Sequence, residues 1–300
     1  MVNTVLGEVD AASLGLTLMH EHLLIDRIHV SGDADHTVLD EELAILELGS
    51  FASRGGRTLV DLTLPAIGRN PEALARISAA TGINIVMGSG FYHEAFYPAM
   101  VDHSSADALA ASIIDEFDHG VAGTGIKPGI IGEIGSGTFV SAQEERVFRA
   151  VARAQKTVGC PVSTHAVGST VGASQLDLLL EEGVEPGQVI IGHCDSVFDP
   201  DYHEALARRG VWVQFDLLRA KTEWDMNKRV TLVAEFARRG FGDRMLLSQD
   251  VCMKSHLAAY GGHGYAGLFE HYLPRLLDAG LDQDVFDHAL TVNPSRVFAG

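Results

Sequence analysis

Metal-type side chains stand where the apolar runs of this chain end. His20-Glu21-His22 closes a short apolar stretch from Leu14 to Met19, and Glu133, His165, His193 and Asp250 stand singly at the ends of later runs. In a strand successive side chains alternate faces, so His20 and His22 point the same way and can grip one ion together, while Glu21 points away. One His-x-His is an ordinary occurrence in strands. Its recurrence with other ligand types at the ends of apolar runs is the constraint. Candidate ligands at the carboxyl ends of parallel strands converge only if those strands close into a barrel whose ligand site lies at that face.

The apolar runs support that closure. Continuous runs bounded by Gly, Pro, Asp or Asn read as strands buried on both faces. They are Thr17 to Leu23, Thr58 to Leu64, Ile83 to Gly90, Gly129 to Gly135, Pro161 to Ala166, Val189 to Asp195, Val211 to Leu217 and Met245 to Val251. Between them lie segments long enough for amphipathic helices: Asp40 to Arg54, Asn70 to Thr81, Ser104 to His119, Ser141 to Val158, Val171 to Glu182, Asp201 to Arg209 and Met226 to Arg239. Gly55, Gly82, Gly120, Gly159, Gly183, Gly210 and Gly240 fall just past them, where a left-handed cap is wanted. The expected fold is an α/β (β/α)8 TIM barrel, one domain over residues 1–300, with a loop at Gly261 to Tyr265 and a closing helix from Asp282 to Phe298. An open doubly wound sheet is expected to show a glycine-rich phosphate turn after an early strand, and no G-x-G-x-x-G follows an early strand here.

Charge and composition exclude several roles. A formal charge of −18 leaves no basic surface for a phosphate backbone and disfavours an anionic membrane. Met1 to Val9 contains no basic stretch followed by an apolar core, and no run reaches the length of a membrane span. A cytoplasmic location is expected. Cys160, Cys194 and Cys252 are sparse and odd in number, so reduced thiols are expected.

Taken singly, each histidine can serve a neighbouring carbonyl and each Asp can cap a helix. Taken together they fall at the ends of strands one, four, five, six and eight, while strand interiors elsewhere hold almost no ionisable residue. Their imidazoles also need orienting partners, which the sequence does not name.

In fixed order, His20-Glu21-His22, Gly132-Glu133-Ile134-Gly135, Ser163-Thr164-His165, Ile191-Gly192-His193-Cys194-Asp195 and Leu247-Ser248-Gln249-Asp250 resemble the phosphotriesterase family of the amidohydrolase superfamily. The resemblance extends to Gly88-Ser89-Gly90-Phe91-Tyr92, Gln214-Phe215-Asp216, Gly261-Gly262-His263-Gly264-Tyr265 and Asn293-Pro294-Ser295-Arg296. It implies two divalent metal ions, usually zinc, one held by His20, His22 and Asp250 and the other by His165 and His193, with a carboxylate and a hydroxide bridging them. In the best-known members the bridge is a lysine carbamate, and here the position is Glu133, as in the phosphotriesterase-homology branch. The reaction implied is hydrolysis of a carboxylic ester, lactone or N-acyl amide, with Asp250 as both metal ligand and proton shuttle. The alternatives are an organophosphate triesterase and, from another class, a barrel that binds a ligand without turnover.

Substrate determinants are expected in the loops after strands three, seven and eight, which carry Tyr92, His93, Arg219, Lys221, Trp224, Lys254 and His256. Tyr92, Lys221 and Lys254 are the candidate substrate contacts. Arg219, Lys221 and Lys254 in so acidic a chain suit a small anionic substrate, although loop cations are commonly just solvated. A homodimer is the expected assembly. Gly261 to Gly264 can mark a mobile lid or only turn geometry. Cys194, adjacent to a ligand, is expected to project to the opposite face of its strand.

Overall fold

In a computed structural model describing residues 1–300, eight parallel strands lie side by side in chain order and close into a barrel. They are β1 (Leu16–Glu21), β2 (Gly56–Asp61), β3 (Asn84–Ser89), β4 (Ile130–Gly135), β5 (Val162–His165), β6 (Val189–Ile191), β7 (Trp212–Phe215) and β8 (Met245–Leu247). Seven helices of nine residues or more connect them: α1 (Glu41–Ser53), α2 (Pro71–Thr81), α3 (Ala106–His119), α4 (Ala142–Val158), α5 (Gly172–Glu181), α6 (Pro200–Arg208) and α7 (Glu223–Phe236). The (β/α)8 barrel expected from the run pattern is the fold observed.

Polar caps start the helices and glycines follow them. Asp40, Asn70, Ser105 and Thr222 each accept a backbone N–H in the first turn of the helix that follows, and Ser141 and Glu144 form a reciprocal capping box on α4. The seven glycines expected past the helix ends all have φ between 71° and 90°. Trp224, expected in a loop, instead stands in the first turn of α7 because Thr222 caps the helix earlier than the apolar pattern suggests.

Alternate strand residues feed two cores. Met19, Val60, Val86, Ile130, Ile190, Trp212 and Leu246 fill the barrel interior, while Leu18, Leu59, Ile85, Ile131, Ile191, Val213 and Leu247 face the helix layer. An amino-terminal hairpin, Val2–Thr4 against Gly7–Val9, was not legible in the sequence; its Val2 packs on the interior core. The closing segment is two helices, α8 (Gln283–Leu290) and α9 (Val292–Ala299), rather than one. Pro294 cannot continue a preceding helix ladder, and Asn293 uses its amide to bond Gly242 O and Met245 O at the foot of β8.

The apolar runs overstate β6 and β8. Expected to reach Asp195 and Val251, these strands end at Ile191 and Leu247. His193 and Asp250 adopt left-handed backbone, with φ 56° and 48°, so the chain turns at both ligands while remaining buried. Periodicity registers burial and does not register that turn.

The first and last strands are joined by side chains as much as by backbone. Asp250 N–H donates to His20 O at 3.0 Å and His22 N–H to Val251 O at 3.3 Å. Ser248 Oγ accepts from His20 N–H and donates within the same seam, where His20 O and Glu21 Oε1 lie 2.9 and 2.7 Å away. Glu21 does point away from the interior, and its destination is this seam: Oε1 also accepts from Gln249 N–H and Oε2 from Val251 N–H. Burial pushes the Glu21 carboxyl up to about 7 against the pull of those donors.

Glu21→Gln removes one acceptor and sets an amide donor against a backbone or hydroxyl donor whichever way it turns. The expected cost is about 1–3 kcal/mol, the penalty of a buried unsatisfied donor. Urea denaturation measures it, and an unchanged midpoint means that the seam does not depend on this carboxylate.

Candidate metal centre

Five strands deliver six side chains to one point at the carboxyl mouth. His20 lies in β1 and His22 just beyond it, Glu133 lies in β4, His165 ends β5, and His193 and Asp250 follow β6 and β8. A register shift between Leu18 and Glu21 sets three residues of β1 against two of β2, which re-aims the end of β1. Two glycines make room for the ligands that follow them. A Cβ on Gly132 would lie 2.2 Å from Ser163 O, and one on Gly192 would lie 2.3 Å from Thr164 O. His20, His22, Glu133, His193 and Asp250 are buried, and His165 is partly open to the mouth.

Their ligand atoms fall into two groups that share Glu133: His20 with His22, and His165 with His193. Glu133 Oε2 is 3.3 Å from His20 Nε2 and from His193 Nε2 and 2.8 Å from His165 Nδ1, while Oε1 is 3.4 Å from His22 Nε2. Asp250 Oδ1 joins the first group, 3.2 Å from His22 Nε2. Separations of 3.2–3.4 Å match the edge of a tetrahedron with metal–ligand bonds of about 2.0–2.1 Å. His20 Nε2 is buried and makes no hydrogen bond, and His193 Nε2 and His165 Nδ1 face each other at 2.8 Å. Imidazole lone pairs aimed at one another and at a shared carboxylate suit cations between them. The residue set therefore fits two divalent ions with Glu133 between them.

The orienting partners now have names. Asp216, just past β7, receives His20 Nδ1–H on Oδ2 and His193 Nδ1–H on Oδ1, each at 2.8 Å. It also accepts from His193 N–H at 3.0 Å and Gln214 Nε2 at 2.9 Å. Both Nε2 atoms are thereby turned inward. His22 has Thr63 Oγ1 2.9 Å from its Nδ1. Asp216 was missed as an orienting residue in the sequence because an Asp after a strand has the same signature as a helix cap. Burial alone would raise its carboxyl, but the charges of His193 and His20 hold it below the usual carboxylate range. Burial would lower His193, yet Asp216 pushes it up to about 9, and His20 moves up because Glu133 and Asp216 together outweigh its burial. Glu133 sits well below its ordinary value because His20 and His165 outweigh its burial.

The rim differs from expectation. Arg219 is no free substrate cation: its Nη1 lies 2.6 Å from Asp250 Oδ2 and donates to the carbonyls of Gln249 and Asp250. This pairing overcomes burial and holds Asp250 well below the carboxylate range. Lys221 is exposed with its ammonium on Ser255 O, and Lys254 sits partly exposed in the turn Lys254–His256; neither is among the clustered side chains. Tyr92 is buried with its hydroxyl 3.4 Å from His165 Nδ1, and burial with the nearby Glu133 charge keeps it protonated. The loop Gly261 to Gly264 packs tightly: a Cβ on Gly262 would lie 2.0 Å from His256 O, and Glu47 accepts from Ala258 and Ala259 N–H beside it. Close packing accounts for Gly262 and Gly264, and a left-handed φ of 81° for Gly261. Cys194 lies away from the ligands, but in a turn after β6 rather than on a strand face, with Sγ donating to Ile191 O.

A parallel barrel with a histidine–carboxylate cluster of this kind at its carboxyl face is the framework of a metal-dependent hydrolase. The family model described as the phosphotriesterase family matches residues 1–298, and the chain belongs to that family. It is 36% identical to the phosphotriesterase homology protein of Escherichia coli over 285 residues, covering 95% of this chain and 98% of that one. The crystal structure of that protein with phosphate in its active site superposes with a TM-score of 0.91, covering 94% of this chain and 98% of the other. N-acetyltaurine hydrolase of Mus musculus is 31% identical, covering 98% of this chain and 97% of its own length. A lactonase from Listeria monocytogenes superposes with a TM-score of 0.92 at 27% identity, covering 99% of this chain and 98% of its own.

Asp216→Asn offers an acceptor to only one of two imidazoles and presents its amide donor to the other. Metal affinity is expected to fall about 10–100-fold. Competition with a chromophoric chelator reads this, and wild-type affinity would remove Asp216 from the orienting role.

Proposed function

We propose that this chain is a binuclear metal-dependent hydrolase of carboxylic esters, lactones or N-acyl amides, with zinc as the preferred ion. The observation that carries the reading is the pair of ligand groups sharing Glu133. The relatives named lactonase and N-acetyltaurine hydrolase support acyl chemistry. The cations of the cleft beside the mouth, Arg219, Lys221 and Arg229, already have protein partners, so a small anionic substrate would be drawn by the ions at the centre rather than by this cleft. We take the working unit to be a homodimer acting in the cytoplasm on a small molecule; no helix is long and apolar enough to cross a membrane.

His20, His22 and Asp250 would hold one ion, His165 and His193 the other, and Glu133 both. When bound, the ions supply a water of lowered pKa and a Lewis acid for the scissile carbonyl. By holding both Nδ1–H groups, Asp216 turns the two Nε2 atoms inward, so that their lone pairs would be the ones offered to the ions. Tyr92, kept protonated beside His165, is placed to donate to a substrate oxygen. Arg219 fixes the Asp250 carboxylate through Oδ2, leaving Oδ1 toward the centre. A carboxyl made this acidic accepts a proton only from a strongly acidified water, and it returns that proton readily to a departing amine or alkoxide.

Two expectations test the reading. The purified chain should carry about two divalent ions, and Glu133→Gln should lose at least one of them, as elemental analysis would show. Asp250→Asn keeps a coordinating oxygen but cannot shuttle a proton, so turnover of amides and alkyl esters should fall much more than turnover of activated aryl esters. Equal losses for both substrate types on the metal-loaded variant would reduce Asp250 to a ligand.

A further inference from the structure

The cations around the mouth are mostly committed. Arg219 is spent on Asp250, Arg229 lies beside Asp195 and Asp225, and Lys221 is exposed and donates to Ser255 O. Arg27 is different. It stands on the segment after β1, where the short strand Ile25–Asp26 pairs antiparallel with Thr37–Val38. That segment is tied to the loop after β8 at two points. Asp35 accepts from Ser255 N–H and Oγ–H, and Arg27 Nη2 donates to Cys252 O at 3.2 Å, with Cys252 Sγ at 3.4 Å.

A guanidinium has five donors in a rigid fork. The Cys252 contacts engage Nη2 alone, Nη1 makes no hydrogen bond to the protein, and Nε is buried without a partner. No carboxylate lies within ion-pair distance of Arg27, although the side chain is partly buried and feels the charges of Asp250 and Glu133 and the Tyr92 hydroxyl. A buried donor left unmade costs free energy, and a partly buried cation without a counter-ion costs more. A structural arginine bridging two loops would ordinarily be completed by a carboxylate, and the acidic chain has many to offer. Arg27 has no such partner, although it lies close enough to the mouth to feel Asp250 and Glu133.

We propose that Arg27 is the specificity residue that receives the anionic group of the substrate, a sulfonate or carboxylate carried on the leaving side of an N-acyl amide or ester. The assignment rests on the hydrolase reading above and narrows it to substrates with a fixed negative charge. Arg27 binds rather than reacts: it raises affinity for the charged substrate and leaves the bond-breaking residues untouched.

The test compares two amides of similar size on the metal-loaded enzyme, N-acetyltaurine, which is anionic, and N-acetylethanolamine, which is neutral. Arg27→Met should raise KM for N-acetyltaurine about 10–100-fold, the worth of a charged hydrogen-bonded contact, with little change in kcat or in KM for the neutral amide. Arg27→Lys should recover part of the loss, since it restores the charge without the fork. Calorimetric titration with ethanesulfonate supplies a readout independent of turnover: the unaltered holoenzyme should bind it and the Met variant should bind it at least about tenfold more weakly. Equal effects on both amides, or unchanged ethanesulfonate binding by a folded variant, would overturn the assignment. If neither amide is cleaved by the unaltered enzyme, the choice of reaction is at fault, and the titration still decides for or against Arg27.

Discussion

One carboxylate holds the centre together. Asp216 reaches from the end of β7 to His193 on one side and His20 on the other, so three strand ends are joined through one buried group. An ionised carboxylate without partners would be expensive in the barrel interior. Asp216 has four donors, two of them imidazoles, and those imidazoles rise in proton affinity to match it. The Nδ1 contacts would be undisturbed by divalent ions, which would be held through the Nε2 atoms. The cage is therefore aimed before the metal arrives.

The ligands that complete the cage lie beyond the regular strands, and the fold accepts unfavourable backbone to place them. His193 and Asp250 occupy left-handed φ that glycine would take without cost. Both are held from several sides. His193 N–H is bound by Asp216, and Asp250 N–H is bound by His20 O across the seam that Glu21 and Ser248 secure. The seam and the centre are thus one structure: the contacts that close β8 onto β1 are the contacts that bring Asp250 to His22.

Much of this was legible in the sequence because parallel barrel strands, buried on both faces, leave continuous apolar runs. Glu133, His165, His193 and Asp250 stand out against such runs, and His20-Glu21-His22 gives the spacing of a paired grip. The ends of β6 and β8 were not legible, because Gly192 to Asp195 and Ser248 to Val251 are as buried as the strands they leave. Nor was the fate of each loop cation. Arg219 looks like a substrate contact until Asp250, 31 residues on, is found against it. Its partner is set by barrel closure, which no local pattern encodes. Lys221 and Lys254 drew attention as cations after strand ends, while Arg27 in an unremarkable stretch after β1 drew none.

The two arginines show how one side-chain type takes opposite roles from its surroundings. Both are partly buried near the same carboxylate-rich centre. Arg219 touches a carboxylate and so fixes a ligand, lowering the proton affinity of Asp250 and stiffening the loop after β8. Arg27 touches only a carbonyl and a thiol and feels the centre's carboxylates from a distance, so no carboxylate of the protein pairs with it. In the metal-free centre the carboxylates of Glu133, Asp216 and Asp250 dominate. Two bound dications would outweigh those three carboxylates and make the mouth positive in a protein whose overall charge is −18. A cationic pocket within an anionic surface attracts small anions at short range, while the acidic exterior around it holds none. On that view the acidity of the chain sharpens the contrast at the mouth, and Arg27 reads the charge that the contrast delivers.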